Sequence, residues 1–515
     1  MSPVFASIHD SLSLGNVFLL SLLLFLLHYL MVLYEFRSMP PGPRLSSVPV
    51  LGNIFSLEVN AEKLTDAFRS LRENYGGIFS LKLGSYKVVM AATSEAVKEM
   101  LVTKSGDFAG RPQTFAFYNI TLGGKDIILG NCSPAWRFHR KIFTTALRQY
   151  LSNTPLTESR VNTQAKKMVN FMRQQDGKPF DPAECLMRTV ADVICGIIFK
   201  EGCDTMNQDL ERLLKLNANF IANAGDIQEA TILDFFPWGR YLPVKSYDRI
   251  FKVFDEIHSI IRKFVRERKD TFDPTEKVGD FLASLLSAQH DLQCESYEEE
   301  SRALLSEDHF VVAIEDMFLA GYETTSTTLR FVISFLVRFP DYQKDIQRQL
   351  DEVVGSREPS LDDRPNLPLI QATILEALRV GNVLPLAVSH VALTDTTLCG
   401  YRVPKDTIVF ANIESVHLDP SCWEDPDVFN PYRHIDVDGK LITNQGNFYP
   451  FGAGRRVCAG ESLAKVELFL FVSWLLQSFT FIQVEENLPK LKGAFVQFPD
   501  RYKIRAIKRT LPTGN

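Results

Sequence analysis

Between Phe451 and Gly460 the chain reads Phe-Gly-Ala-Gly-Arg-Arg-Val-Cys-Ala-Gly, and this loop limits the fold more than any other stretch. Gly452, Gly454 and Gly460 let the backbone pass close to a flat ligand and aim N–H groups at the Cys458 sulfur, which favours the thiolate. A thiolate is a strong electron donor to iron when it is an axial ligand. Arg456 places a cation beside the sulfur, within reach of a carboxylate on that ligand. From Ser462 onward Leu463, Val466, Leu468, Phe469 and Phe471 recur at helical spacing, so the cysteine sits in a loop that opens onto a helix N-terminus. A structural cysteine in a turn is the competing reading of Cys458 taken alone.

Near the other end, Val17 to Tyr34 is apolar with no formal charge, a length at the lower edge for crossing a bilayer. No Lys or Arg precedes it, whereas Arg37 and Arg44 follow, which predicts that the remainder of the chain is cytosolic. Pro40-Pro41-Gly42-Pro43 then reads as a stiff extended hinge. The expected division is a signal anchor over 1–36, a hinge over 37–55 and one large body over 56–515. Eight scattered cysteines form no Cys-x-x-Cys pair, as suits a reducing compartment, and a net charge of −6 argues against nucleic acid as a partner.

Within the body, Ile78–Leu83 and Tyr86–Ala91 around Gly84-Ser85 predict a β-hairpin. Helical patterns cover Leu64–Tyr75, Pro134–Tyr150, Asp181–Phe199, Leu210–Ala224 and Lys245–Arg268, and short strands are expected over 391–411. The stretch from Phe108 to Gly130 is too loop-rich to place by pattern. A mainly α fold with a smaller β region (α+β) follows. Trp136 and Arg140 are spaced i, i+4 and share one helix face.

Ser306 is a candidate N-cap for a helix from about His309 to Phe339, where Pro340 stops it. Its middle, Ala320-Gly-Tyr-Glu-Thr-Thr325, breaks local rules. Gly321 costs roughly 1 kcal/mol against alanine in a helix interior. Glu323 puts a carboxylate in an apolar stretch, and Thr324 and Thr325 can bond back to carbonyls. Rule-breaking inside a consistent element points to function. The expectation is a locally widened helix, with Thr324 holding a proton-bearing network that Glu323 feeds. A Thr-rich bend packed against neighbours is the alternative.

The Cys458 loop, the Ala320–Thr325 segment, Glu376-Ala-Leu-Arg379 and Asn430-Pro-Tyr-Arg433 together resemble, in order, the motifs of the cytochrome P450 superfamily, the haem-thiolate monooxygenases. The resemblance implies that family's fold behind an N-terminal transmembrane helix, and haem b (iron protoporphyrin IX) as cofactor. It implies Cys458 as iron ligand, with Phe451 and Gly460 in the ligand loop, and Trp136, Arg140, His390 and Arg456 on the propionates. Thr324 and Glu323 would be catalytic. Glu376, Arg379 and Arg433 would form a structural clamp. The family usually carries an aromatic where this chain has His434, a departure that puts local packing in doubt rather than the clamp.

The proline hinge and the run from Cys458 to Phe469 resemble the animal microsomal group, loosely the steroid 17-hydroxylases and xenobiotic-metabolising members. Implied in turn are a single-pass protein of the endoplasmic reticulum membrane, NADPH–cytochrome reductase as electron donor, cytochrome b5 as a second candidate donor, and a lipophilic substrate (steroid, fatty acid or xenobiotic). Phe115–Leu122, Phe220–Ala224, Phe318–Gly321, Val383–Val388 and Ala494–Val496 would face that substrate. Two other readings stand beside this one: a reductase-independent haem-thiolate isomerase or dehydratase, and a non-catalytic membrane haem-binding protein. Neither has a use for an acid–threonine pair.

Overall fold

The computed structural model describes residues 14–57, 64–152, 154–199, 208–222, 234–236, 238, 241, 245–275, 279–294, 305–443, 445–485, 489–493 and 496–510. Helix α1 (Leu14–Phe36) is followed by strands β1 (Ile78–Leu83) and β2 (Tyr86–Ala91), then helices α2 (Pro134–Ser152), α3 (Thr154–Gln174), α4 (Ala183–Phe199) and α5 (Lys245–Asp270). Next come the long α6 (Glu307–Arg338), α7 (Pro368–Gly381), strands β3 (His390–Val391) and β4 (Ile408–Ala411), α8 (Glu461–Ser478), and a terminal pair, β5 (Phe479–Gln483) and β6 (Ile504–Lys508). The fold is mainly helical with a small sheet region, as the sequence pattern predicts.

The hairpin forms over the expected residues, with Ile78 opposite Ala91 and Leu83 opposite Tyr86. β2 pairs parallel with β4, and β3 closes the sheet antiparallel to β4. Helix α6 starts with a capping box in which the Ser306 side chain accepts from the N3 backbone and the His309 ring reaches back. It ends at Phe339, and Pro340 occupies the first turn of the next helix, where its missing N–H costs nothing. The predicted widening around Gly321 is no break, since α6 is helical throughout. A Cβ on Gly321 would lie 2.8 Å from Ile194 Cδ1, so this glycine lets α4 pack close. Helices α4, α5, α7 and α8 all pack against α6, which runs through the largest apolar core. Helix α3, which the sequence pattern leaves unplaced, packs on α4 and α8.

α1 carries the one span among the described residues long and apolar enough to cross a membrane, Asn16–Phe36 with mean hydropathy 2.4 and 6% of it buried. Its last turn is not loose. Val32, Phe36 and Met39 are buried in the core that also holds Val89 and Ala91. The proline segment is stitched to β1: Ser80 N–H donates to the Pro41 carbonyl (2.7 Å), Ser80 Oγ to the Pro40 carbonyl (2.6 Å), and Arg44 to Ser80 Oγ (2.9 Å). The expected hinge is thus a fastened strap, held by polar groups that spacing alone does not reveal.

Beneath the core, Glu376 on α7 is fully buried and accepts five hydrogen bonds. Arg379 supplies two (2.9 and 2.8 Å), Asn430 N–H one (2.9 Å), Arg433 Nε one (3.0 Å) and His434 Nε2 one (2.9 Å). The departure at position 434, where the sequence leaves local packing in doubt, therefore adds a donor to the clamp. A ring nitrogen reaches Glu376 where an apolar aromatic could not, and Nδ1 lies 2.9 Å from Gln445 Oε1.

Burial pushes the Glu376 carboxyl up, but the hydrogen bonds from Arg379 and His434 and the Arg379 charge outweigh it and hold the group at about 2. A depressed carboxyl stabilises the fold above its ordinary value of 4.5 and loses that contribution as the pH falls toward 2. Glu376→Gln, which strands a buried guanidinium, is expected to cost about 3–5 kcal/mol in chemical denaturation. It should also flatten acid unfolding in that pH window. An unchanged acid profile would contradict the assignment.

Candidate active site

The Cys458 loop is shaped by its glycines. Gly452 and Gly454 have φ of 68° and 67°, and a three-residue 3-10 turn spans Gly454–Arg456. Cys458 N–H donates to the Phe451 carbonyl (2.9 Å), closing the loop, and Gly460 caps α8. Cys458 is exposed, its sulfur open to a cavity. Burial pushes the thiol up, while the amides of Gly460 and Glu461 and the Arg140 cation pull the other way.

The cavity encloses about 1590 Å³ of atom-free space, part of it continuous with solvent. Cys458 and Phe451 line one wall. From α6 the lining includes Asp316, Ala320 and Thr324, spaced i, i+4, i+8 on one face, with Met317, Gly321, Thr325 and Thr328 beside them. Val383, Leu384, Ala387 and Val388 line an apolar side, as predicted for the Val383–Val388 stretch. Phe115 instead packs its ring on Tyr247 and Phe251, outside the lining. Part of the two other predicted substrate stretches, near 224 and 494–495, lies outside the described residues.

Thr324 Oγ donates to the Ala320 carbonyl (2.7 Å). Glu323 does not line the cavity; Thr327 Oγ lies 3.4 Å from its Oε1, and burial pushes its carboxyl up against the opposing Arg330 charge. The two residues the sequence joins as an acid–threonine pair thus face different ways, because neighbours in a helix are turned about 100° apart.

Cations gather at one edge. Arg456 donates from Nε to Ala109 O (2.8 Å) and from Nη2 to Gly130 O (2.8 Å). Arg140 donates to Val457 O. Arg111, in the stretch that carried no legible pattern, is buried and donates to the carbonyls of Ile128, Val388 and Ser389. Its only sequence signal is a long cation wedged between Gly110 and Pro112. Trp136 stands apart from the expectation: its indole N–H donates to Ile127 O (3.0 Å), and its ring supports Arg456 (3.8 Å) and Arg140 (5.6 Å) by cation–π contact. His390 lines the cavity and donates from Nδ1 to Phe108 O (2.6 Å). Burial, then Arg111, hold that ring well below its ordinary value.

A family model described as cytochrome P450 matches residues 40–506. The chain belongs to the cytochrome P450 family. It is 36% identical over 482 residues to a steroid 17-alpha-hydroxylase/17,20 lyase of Oryzias latipes, covering 91% of this chain and 92% of the relative. The Gallus gallus protein of the same description is 34% identical over 457 residues, covering 88% of each. A cytochrome P450 1A1 of Sparus aurata is 34% identical over 454 residues, covering 86% and 85%.

Cytochromes P450 bind haem b, and the residues of this cavity fit it. The thiol faces open space. Burial lowers Arg111, Arg140 and Arg456 at one edge, neighbouring arginines lower Arg111 and Arg456 further, and the carbonyls they touch bear only partial charge. The carboxyl that acts on Arg111 and Arg456 is Asp126, itself pushed up to about 6 by burial. Buried cations without full countercharge call for an anionic group, and a pair of propionates supplies it.

A Cβ on Gly454 would sit 1.9 Å from Leu101 O at a φ that side chains rarely adopt. Gly454→Ala should therefore destabilise by at least about 3 kcal/mol and displace the loop. The haem-to-protein ratio of the purified variant should fall sharply. A normal ratio would show that the loop tolerates the shift.

Proposed function

We propose that this protein is a membrane-anchored, NADPH-dependent monooxygenase that hydroxylates a lipophilic, steroid-like substrate. The observation that carries the proposal is one cavity lined by the Cys458 thiol, by Thr324 and by apolar side chains. Haem bound there supplies dioxygen activation. One oxygen atom enters a C–H bond of the substrate, and the other leaves as water with two electrons and two protons.

The roles of the chain's own groups follow from where they stand. Cys458 would hold the iron, with its sulfur steadied by the amides of Gly460 and Glu461. Arg111, Arg140 and Arg456 would bind the propionates, and Trp136 would hold Arg456 in place. His390 would join them once a carboxylate lets its ring take up a proton. Thr324 would hold a proton at its Oγ beside the reacting oxygen, because its bond to Ala320 O leaves the lone pairs free to accept from water. Glu323 would act from outside the cavity, through water rather than by direct contact.

No Gly-x-Gly-x-x-Gly run is present to bind a nicotinamide or flavin in the chain itself, so electrons are assigned to a flavoprotein reductase, with cytochrome b5 as a second donor. The apolar helix α1 and Arg37 and Arg44 after it support anchoring in the endoplasmic reticulum membrane with the body cytosolic. The domain division 1–36, 37–55 and 56–515 belongs to the same proposal. The steroid assignment rests on the relatives and on the apolar lining.

The test is reconstitution with reductase, NADPH and progesterone. Thr324→Val should cut product about tenfold or more while NADPH oxidation changes less than about twofold, since a lost proton donor misdirects reduction rather than stopping it. Turnover with no need for reductase would contradict the proposal, as would product and NADPH oxidation falling together.

A further inference from the structure

Residues 126–130 are a hub for the cation edge. The Ile127 carbonyl accepts from Trp136 Nε1 (3.0 Å) and Arg456 Nη1 (3.4 Å), the Ile128 carbonyl from Arg111 Nε (2.9 Å), and the Gly130 carbonyl from Arg456 Nη2 (2.8 Å). The same turn is held from its N–H side by two acids. Ile127 N–H donates to Asp316 Oδ2 (2.8 Å), and Ile128 and Leu129 N–H donate to Asp126 Oδ2 (3.2 and 2.6 Å). Two carboxyls serving consecutive amides of one turn lie side by side. Both are buried, and Asp126 Oδ1 has no hydrogen-bond partner among the described residues.

The charged groups around them are otherwise engaged. Lys125 pairs with Asp308 (2.5 Å), and His258 on α5 with Glu315 on α6 (2.6 Å). Arg111 and Arg456 spend their donors on carbonyls, although the Arg456 charge still draws Asp126 down. Burial outweighs that charge, and two adjacent buried carboxylates cannot both stay ionised cheaply.

We propose that Asp126 and Asp316 share one proton, and that this carboxyl pair fastens the 126–130 hub to α6 and so positions the side chains that hold the haem edge. The proton on Asp316 satisfies Asp126 Oδ1, and the outer oxygens keep their amides. Burial raises both groups, Asp126 to about 6; the Asp126 charge raises Asp316, and Glu315 adds to both. For acids raised in the folded state the sign is fixed: the pair holds at low pH and is lost as pH rises through its second ionisation. Asp126 and Asp316 are positioning residues, acting through the 126–130 turn and the arginines it steers.

The inference rests on the reading that this cavity holds haem, and haem release tests it without any turnover. Transfer of haem from the full-length protein to excess apomyoglobin is measured at about pH 6 and about pH 9, for the wild type, Asp126→Asn, Asp316→Asn and the double variant. Release from the wild type should quicken about tenfold across that range, whereas either single variant should change less than about twofold, because an Asn–Asp pair keeps the hydrogen bond at every pH without a second charge. Amide exchange over 126–131 should rise with pH in parallel, in the wild type alone. The pair is refuted if the wild type shows no such pH dependence or if both single variants retain it. Should one variant fail to hold haem, the other decides by the same criterion. A protein lacking thiolate-ligated haem would refute the proposed function instead, whereas thiolate-ligated protein with unaltered pH dependence in the variants refutes the pair alone.

Discussion

The buried Glu376 carboxylate is the constraint on which the rest of the structure hangs. A full charge with no exposed surface survives only where its oxygens are saturated with donors, and Arg379, Asn430, Arg433 and His434 provide that saturation from segments more than fifty residues apart in sequence. The consequence reaches the active site by hydrogen bonds. Arg379 also donates to the His417 carbonyl (2.6 Å), and His417 Nε2 accepts from Tyr449 N–H (3.0 Å). The Tyr449 carbonyl accepts from Gly452 N–H (3.0 Å), and the next carbonyl but one, of Phe451, accepts from Cys458 N–H. A single buried acid thus sets where the cysteine loop stands relative to α7 and the core.

On the other side of the cavity, charge is managed by backbone rather than by counter-ions. The arginines are steered by carbonyls of residues 109, 128, 130, 388, 389 and 457, which fix their direction while leaving their net charge for a ligand. Full salt bridges would have cancelled that charge. Residues 126–130 matter because several of those carbonyls lie in one short turn, and the long helix opposite holds that turn through a carboxyl. The Asp316–Thr324 stripe and the turn that steers the arginines therefore share one rigid element, α6.

How much of this is legible in the sequence varies with the range of the interaction. The hairpin at 78–91 and the end of α6 at Pro340 are legible because their causes are local: alternation around Gly84-Ser85, and a missing N–H. The Cys458 loop is legible because its glycine positions are themselves the mechanism. Trp136 and Glu323 lie on the expected helices, but their contacts to Ile127 O and Thr327 are not legible, since helical spacing reports which face two residues share and not what lies opposite. His434 looks like a loss because an imidazole and a phenyl ring differ only when a carboxylate is in reach. Asp316 leaves no pattern and Arg111 only its place between Gly110 and Pro112; their partners are carbonyls and amides of distant segments, and such contacts exist only in the folded chain.

Everything assigned to the cavity depends on Cys458 presenting a thiolate to haem iron, and the reduced-plus-carbon-monoxide difference spectrum reads that ligation out. A Soret band displaced to roughly 450 nm is expected, as thiolate-ligated haem gives, together with its loss in Cys458→Ala while the fold is retained. A band at the shorter wavelengths of histidine-ligated haem in the wild type, or an unchanged red-shifted band in the variant, would contradict thiolate ligation by this residue.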